Sequence, residues 1–123
     1  MRFSVHALAI LSVLTLWASN PSNAAELVMI ERQGCVWCAR FDAEIAPAYP
    51  KTDEGKRAPL RRVDITQAWP ADLAGVASEH FTPSFILVDD GREVGRIRGY
   101  PGNEFFWYLL GGILAKLDAP NAG

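Results

Sequence analysis

Apolar residues fall along this chain in runs of changing period, and each change marks the edge of an expected element. Glu26-Leu27-Val28-Met29-Ile30-Glu31 is short, apolar and partly β-branched, which reads as a buried strand. Arg32-Gln33-Gly34 makes a turn, and from Val36 the spacing becomes helical, with Phe41, Ile45 and Ala48 at i, i+4 and i+7. Pro47 ends or kinks that helix near Ala46. The polar stretch from Tyr49 to Pro59 reads as a surface loop, with the charge run Lys51 to Arg57 solvated. Leu60 to Ile65 is a second strand, apolar at Leu60, Val63 and Ile65. One helix is expected over Ala68 to His80, starting near Pro70 and turning Leu73, Val76 and Ala77 inward, until Phe81-Thr82-Pro83 breaks it.

The run Ser84-Phe85-Ile86-Leu87-Val88 is continuously apolar, as in a strand buried on both faces. Asp89-Asp90-Gly91 is a hairpin turn signal, and Glu93 to Arg98 returns as an alternating strand. Past the loop Gly99-Tyr100-Pro101-Gly102, a last helix is expected from Asn103 to Leu117. Its core stripe is Phe106, Leu110, Ile113 and Leu117, which leaves Trp107 or Tyr108 partly exposed, and Gly111-Gly112 implies close packing or a kink. The order β-α-β-α-β-β-α places a parallel crossover first and an antiparallel hairpin last. The expected fold class is α/β: a four-stranded mixed sheet flanked by helices, with no repeat and no linker to divide it.

The first residues stand apart from this pattern. Arg2 precedes the apolar run Ala7 to Trp17, which is short for a bilayer span, and Ser22-Asn23-Ala24 presents small residues where a signal peptidase reads them. Residues 1–24 are therefore expected to be a removed signal peptide, with an uncleaved anchor or a buried helix as the alternatives, and 25–123 the folded domain. No cysteine follows the apolar run, which excludes lipoprotein processing. Without Arg2 the domain carries 11 basic and 14 acidic residues, so its charge gives no reason to expect nucleic acid or an anionic membrane as partner. Export would place the domain in a compartment where disulfides persist, which the resemblance given below implies is the periplasm.

Both cysteines of the chain lie in Cys35-Val36-Trp37-Cys38. A purely structural disulfide gains most by closing a long loop, and this spacing closes almost none. Zinc wants four ligands, whereas the domain offers two thiols and His80, which is placed to cap or cover a helix end. Copper(I) needs only two thiolates, so copper delivery stays open. The position favours redox chemistry: Cys35 stands at a helix start, where unpaired N–H groups and the dipole favour the thiolate. Cys38 lies one turn inside. On this reading Cys35 attacks a partner disulfide and Cys38 resolves the mixed disulfide. Trp37 between them either shields Cys38 and offers a docking surface or belongs to the core.

Taken together, these segments resemble the thioredoxin superfamily over nearly all of Glu26 to Leu117. The resemblance rests on the strand leading into Cys35-Val36-Trp37-Cys38 and on Thr82-Pro83, about 45 residues later, opening the strand Ser84 to Val88. The Asp90-Gly91 hairpin and the Gly99-Tyr100 loop complete it. The segments ELVMIE, GCVWCARFDAEIAPAYPKTDEG and APLRRVDI are similar to the small periplasmic thioredoxins encoded with bacterial sulfur-oxidation (Sox) systems. The superfamily resemblance implies a thiol-disulfide oxidoreductase without cofactor or metal. It implies a cis bond before Pro83, which with the backbone of Thr82 shapes a groove for a partner's extended segment. The narrower resemblance implies a protein partner, a carrier subunit of a thiosulfate-oxidising complex; a reductant in an oxidising compartment would in turn need electrons from elsewhere, as from a membrane thiol transporter. Three positions depart from the cytoplasmic pattern: Met29 replaces a buried Asp, Val36-Trp37 replaces Gly-Pro, and Ala43 replaces a helix proline. Glu31 is then the nearest carboxylate to serve Cys38. The uncharged Val36-Trp37 favours a reductant or isomerase-like role over a strong oxidant.

Overall fold

The computed structural model describes residues 25–119; the expected signal peptide and the end of the polar tail lie outside them. Four strands form one sheet in the order β2-β1-β3-β4: β1 (Ala25–Glu31), β2 (Leu60–Asp64), β3 (Ser84–Asp89) and β4 (Arg92–Arg98). β1 runs parallel to β2 and antiparallel to β3, and β3 pairs antiparallel with β4. This is the mixed sheet that the apolar pattern predicts. The alternation along β1 builds two cores. Leu27 and Met29 enter one with Phe41, Phe85 and Phe106, while Val28 and Ile30 enter the other with Val63, Leu73, Val76 and Ile86.

Among the described residues, the α-helices cover the first of these faces. α1 (Val36–Glu44) buries Cys38 and Phe41, and α3 (Asn103–Leu114) buries Phe106, Leu110 and Leu114. Around Phe106 the rings of Phe41, Phe85, Tyr100 and Trp107 stand at centroid distances of 5.0 to 6.2 Å, mostly edge to face. β4 comes close to α3: a Cβ on Gly95 would lie 2.8 Å from Ile113 Cγ2. Gly95 thus fills the close-approach role, while open space surrounds the Cβ positions of Gly111 and Gly112.

Several expectations need correction. The helix expected over Ala68 to His80 does not form; a single 3-10 turn at Ala71–Leu73 and irregular chain take its place. Leu73 and Val76 are buried as expected, Val76 through an N–H bond back to the Leu73 carbonyl at 2.9 Å that keeps the spacing of three, but Ala77 is exposed. Exposed His80 therefore has no helix end to cap. The Tyr49 to Pro59 segment is more ordered than a loop. It holds a 3-10 turn at Tyr49–Lys51 and the short helix α2 (Asp53–Arg57), whose N-cap Thr52 accepts from the Gly55 N–H at 3.0 Å. The last helix ends at Leu114 and continues as a 3-10 turn, Ala115–Asp118, with Leu114 more deeply buried than Ile113 or Leu117.

Candidate active site

Gly34, at φ 79°, turns the chain out of β1, and Cys35 becomes the N-cap of α1. Cys35 and Cys38 are joined by a disulfide, with their Cα atoms 5.2 Å apart. The Cys38 N–H donates to Cys35 Sγ at 3.2 Å. A backbone donor aimed at this sulfur at a helix start favours the thiolate once the disulfide opens. Cys35 is partly exposed, whereas Cys38 is 4% exposed and packs into the core that holds Phe41. The two cysteines therefore differ in exposure, an asymmetry that suits two-step thiol exchange.

Trp37, Phe81, Thr82, Pro83, Gly99 and Tyr100 line a depression of about 180 Å³. The structure thus brings Trp37 of the cysteine turn together with Thr82 and Pro83. The Thr82-Pro83 peptide bond is cis. The Pro83 carbonyl accepts from the Gly99 N–H at 2.7 Å. Trp37 is 52% exposed and Phe81 51%, so two rings stand half out of the surface at the groove. Trp37 belongs to the surface and not to the core.

Three residues that the sequence reading did not single out brace this groove. Tyr100 is buried and donates its hydroxyl to Glu44 Oε2 at 2.6 Å, and Arg40 Nε donates to Glu44 Oε1 at 2.7 Å. Burial, then the Glu44 carboxylate, pushes the Tyr100 hydroxyl up to about 12. The hydrogen bonds from Arg40 and Tyr100 hold Glu44 below the usual carboxylate range. The Arg40 guanidinium lies 5.4 Å from the centre of the Trp37 ring, so Trp37 is connected through Arg40 and Glu44 to Tyr100. The i, i+4 spacing of Arg40 and Glu44 was a readable signal; the link to Tyr100, 56 positions away, was not.

A second depression, of about 470 Å³, takes in both cysteines with Glu31, Asp42 and Asp64 on its walls. Glu31 is not a free carboxylate there. Arg62 donates to Glu31 Oε2 and to Asp42 Oδ1, each at 2.6 Å, and lies 3.7 Å from Met29 Sδ. Asp64 accepts from the Thr66 hydroxyl and N–H, which holds it below the usual range.

No family model and no curated protein matches this chain. Solved structures do. The chain is 44% identical to the periplasmic thioredoxin SoxS of Paracoccus pantotrophus, solved in its reduced form, over 76% of this chain and 98% of that one, with a TM-score of 0.72. The chain belongs to the thioredoxin family. This thioredoxin is also similar to the thioredoxin of Fasciola hepatica, at 26% identity over 76% of this chain and 82% of that one, with a TM-score of 0.54. A thioredoxin-fold protein of Helicobacter pylori matches at 20% identity over 82% and 76% of the two chains (TM-score 0.61), a likeness of fold alone. With its paired cysteines, this thioredoxin is a thiol-disulfide oxidoreductase.

Proposed function

We propose that the protein is a periplasmic reductant of protein disulfides, with Cys35 as nucleophile and Cys38 as resolving thiol. The observation that carries this reading is the unequal exposure of the two bonded cysteines at the start of α1. In the reduced protein the Cys35 thiolate attacks one sulfur of a partner disulfide. A Cys35–partner bond forms, and the partner's other sulfur leaves as a thiolate. Cys38, deprotonated, then attacks Cys35 Sγ, re-forms the Cys35–Cys38 disulfide and releases the second partner thiol. Two electrons pass to the partner, and a dithiol donor must restore the pair, a task suited to a membrane thiol transporter. The partner's segment packs in the groove of Trp37, Thr82 and Pro83.

The leader-like residues 1–24 and the likeness to a periplasmic SoxS support export, and that likeness supports a carrier cysteine of a thiosulfate-oxidising complex as the substrate. No helix among the described residues is long and apolar enough to cross a membrane. Trapping tests the roles. Cys38→Ser is expected to accumulate mixed disulfides through Cys35 in periplasmic extract, released by dithiothreitol, while Cys35→Ser accumulates none. A reduction potential near about −120 mV would overturn the reductant assignment. An empty trap combined with tight Cu(I) binding by the wild-type pair would favour copper delivery instead.

A further inference from the structure

Among the described residues Glu79 is the one buried carboxylate, 8% exposed, in the irregular chain that replaces the expected helix. Its Oε1 accepts from the N–H groups of His80 and Phe81, both at 3.0 Å. Its Oε2 accepts from Arg96 Nη1 at 3.1 Å and Arg98 Nε at 3.0 Å, and Arg98 Nη2 reaches Oε1 at 3.3 Å. Arg96 and Arg98 alternate along β4, so they share one face, and Arg96 also donates to the Ala77 carbonyl at 2.9 Å. Burial alone would raise the carboxyl, but the Phe81 N–H and the two guanidinium groups outweigh it and hold Glu79 at about 2. It is an anion at neutral pH, and its hydrogen bonds are charge-assisted.

These contacts converge on Phe81. The Arg98 guanidinium lies 5.2 Å from the centre of its ring, and the Phe81 carbonyl accepts from Ser84 Oγ at 2.8 Å. Gly99, at φ 89°, keeps its absent Cβ 3.4 Å from the ring. A half-exposed aromatic ring on irregular chain would ordinarily lose conformational freedom when a partner packs on it, and that loss weakens binding. Here hydrogen bonds hold the Phe81 backbone at its N–H and its carbonyl, and Arg98 lies against the ring face.

We infer that Glu79 is a positioning residue for partner recognition, its carboxylate clamping the Phe81-Thr82-Pro83 wall of the groove to β4 so that a protein disulfide flanked by apolar residues docks on a preformed surface. This rests on the groove being the docking site, as proposed above. The test compares the reduced protein's rate toward insulin, whose disulfides lie in folded chain, with its rate toward dipyridyl disulfide, which is too small to span the groove. Trp37→Ala reports on the groove itself and is expected to slow insulin selectively. Glu79→Gln is expected to slow insulin about tenfold through a higher KM, with kcat and the reduction potential held, and to slow the small disulfide less than about twofold. If Trp37→Ala leaves insulin unaffected, the docking reading fails. If Trp37→Ala slows insulin while Glu79→Gln does not, or slows both disulfides alike, the clamp fails alone. Arg98→Gln, altering a mostly exposed side chain, is expected to show the same selectivity at about threefold and serves if Glu79→Gln does not fold.

Discussion

Tyr49 shows how one side chain fixes a stretch of chain that has little regular structure. It is 1% exposed, donates its hydroxyl to the Ala58 carbonyl at 2.6 Å, and stacks on Trp107 with centroids 6.0 Å apart. Burial, then the nearby Glu54 carboxylate, pushes its ionisation well above the usual tyrosine range. It is therefore a neutral donor at any pH the domain meets. Tyr49→Phe keeps the ring but removes the donor from a buried carbonyl, at an expected cost of about 1–3 kcal/mol. For a domain of this size that is a fall in melting temperature of roughly 5 °C or more by calorimetry. An unchanged melting temperature would show that the hydroxyl contributes no net stability. The sequence presents Tyr49 as the edge of a polar loop, because its partner is backbone nine positions on and carries no side-chain signal. The cysteines are the opposite case: their spacing and their place after a strand were visible at once.

At the scale of elements, local patterning identified all four strands and the first and last helices to within a few residues. It failed where tertiary contact overrides spacing. Leu73 is buried from the 3-10 turn Ala71–Leu73 and Val76 from the irregular chain just after it, and nothing in their spacing distinguishes that arrangement from an α-helix. What holds the segment instead is tertiary: Glu79 pairs with Arg96 and Arg98 on one face of β4. Gly55 is the converse, a glycine within a charged run that read as solvated loop. Thr52 donates its hydroxyl to the Tyr49 carbonyl at 2.7 Å and accepts from Gly55, folding α2 back on the preceding turn. A Cβ on Gly55 would sit 1.8 Å from the Tyr49 carbonyl oxygen, a clash with backbone that no rotamer relieves. Gly55→Ala is accordingly expected to cost about 3 kcal/mol or more despite the higher helix propensity of alanine. Chemical denaturation checks this, and a variant as stable as the wild type would mean that the turn at Tyr49–Lys51 relaxes freely.

Over the whole molecule the sheet divides two kinds of support. One face is held by aromatic packing under α1 and α3, which pH does not touch. The other is covered by irregular chain tied to β4 through Glu79, Arg96 and Arg98, and that tie titrates. Glu79 is held at about 2 against an ordinary 4.5, so the folded protein binds this proton less readily than the unfolded chain. Its contribution to stability is complete above pH 4.5 and drains away as pH falls toward 2. A shift of that size is worth about 3 kcal/mol. Glu44, Asp64 and Asp72 are shifted the same way but lie at the surface, where solvent screens them, and add little. Acid should therefore loosen the groove side before the aromatic core. Melting curves from pH 6 to pH 3 are expected to fall more steeply for the wild type than for Glu79→Gln, which has already lost the titrating group. Hydrogen exchange at low pH should rise first at Phe81 and Gly99, with the amides of β1 and α1 still protected. Parallel melting profiles for the two proteins would show that Glu79 does not govern the acid limit, and uniform exchange would show that the two faces melt as one.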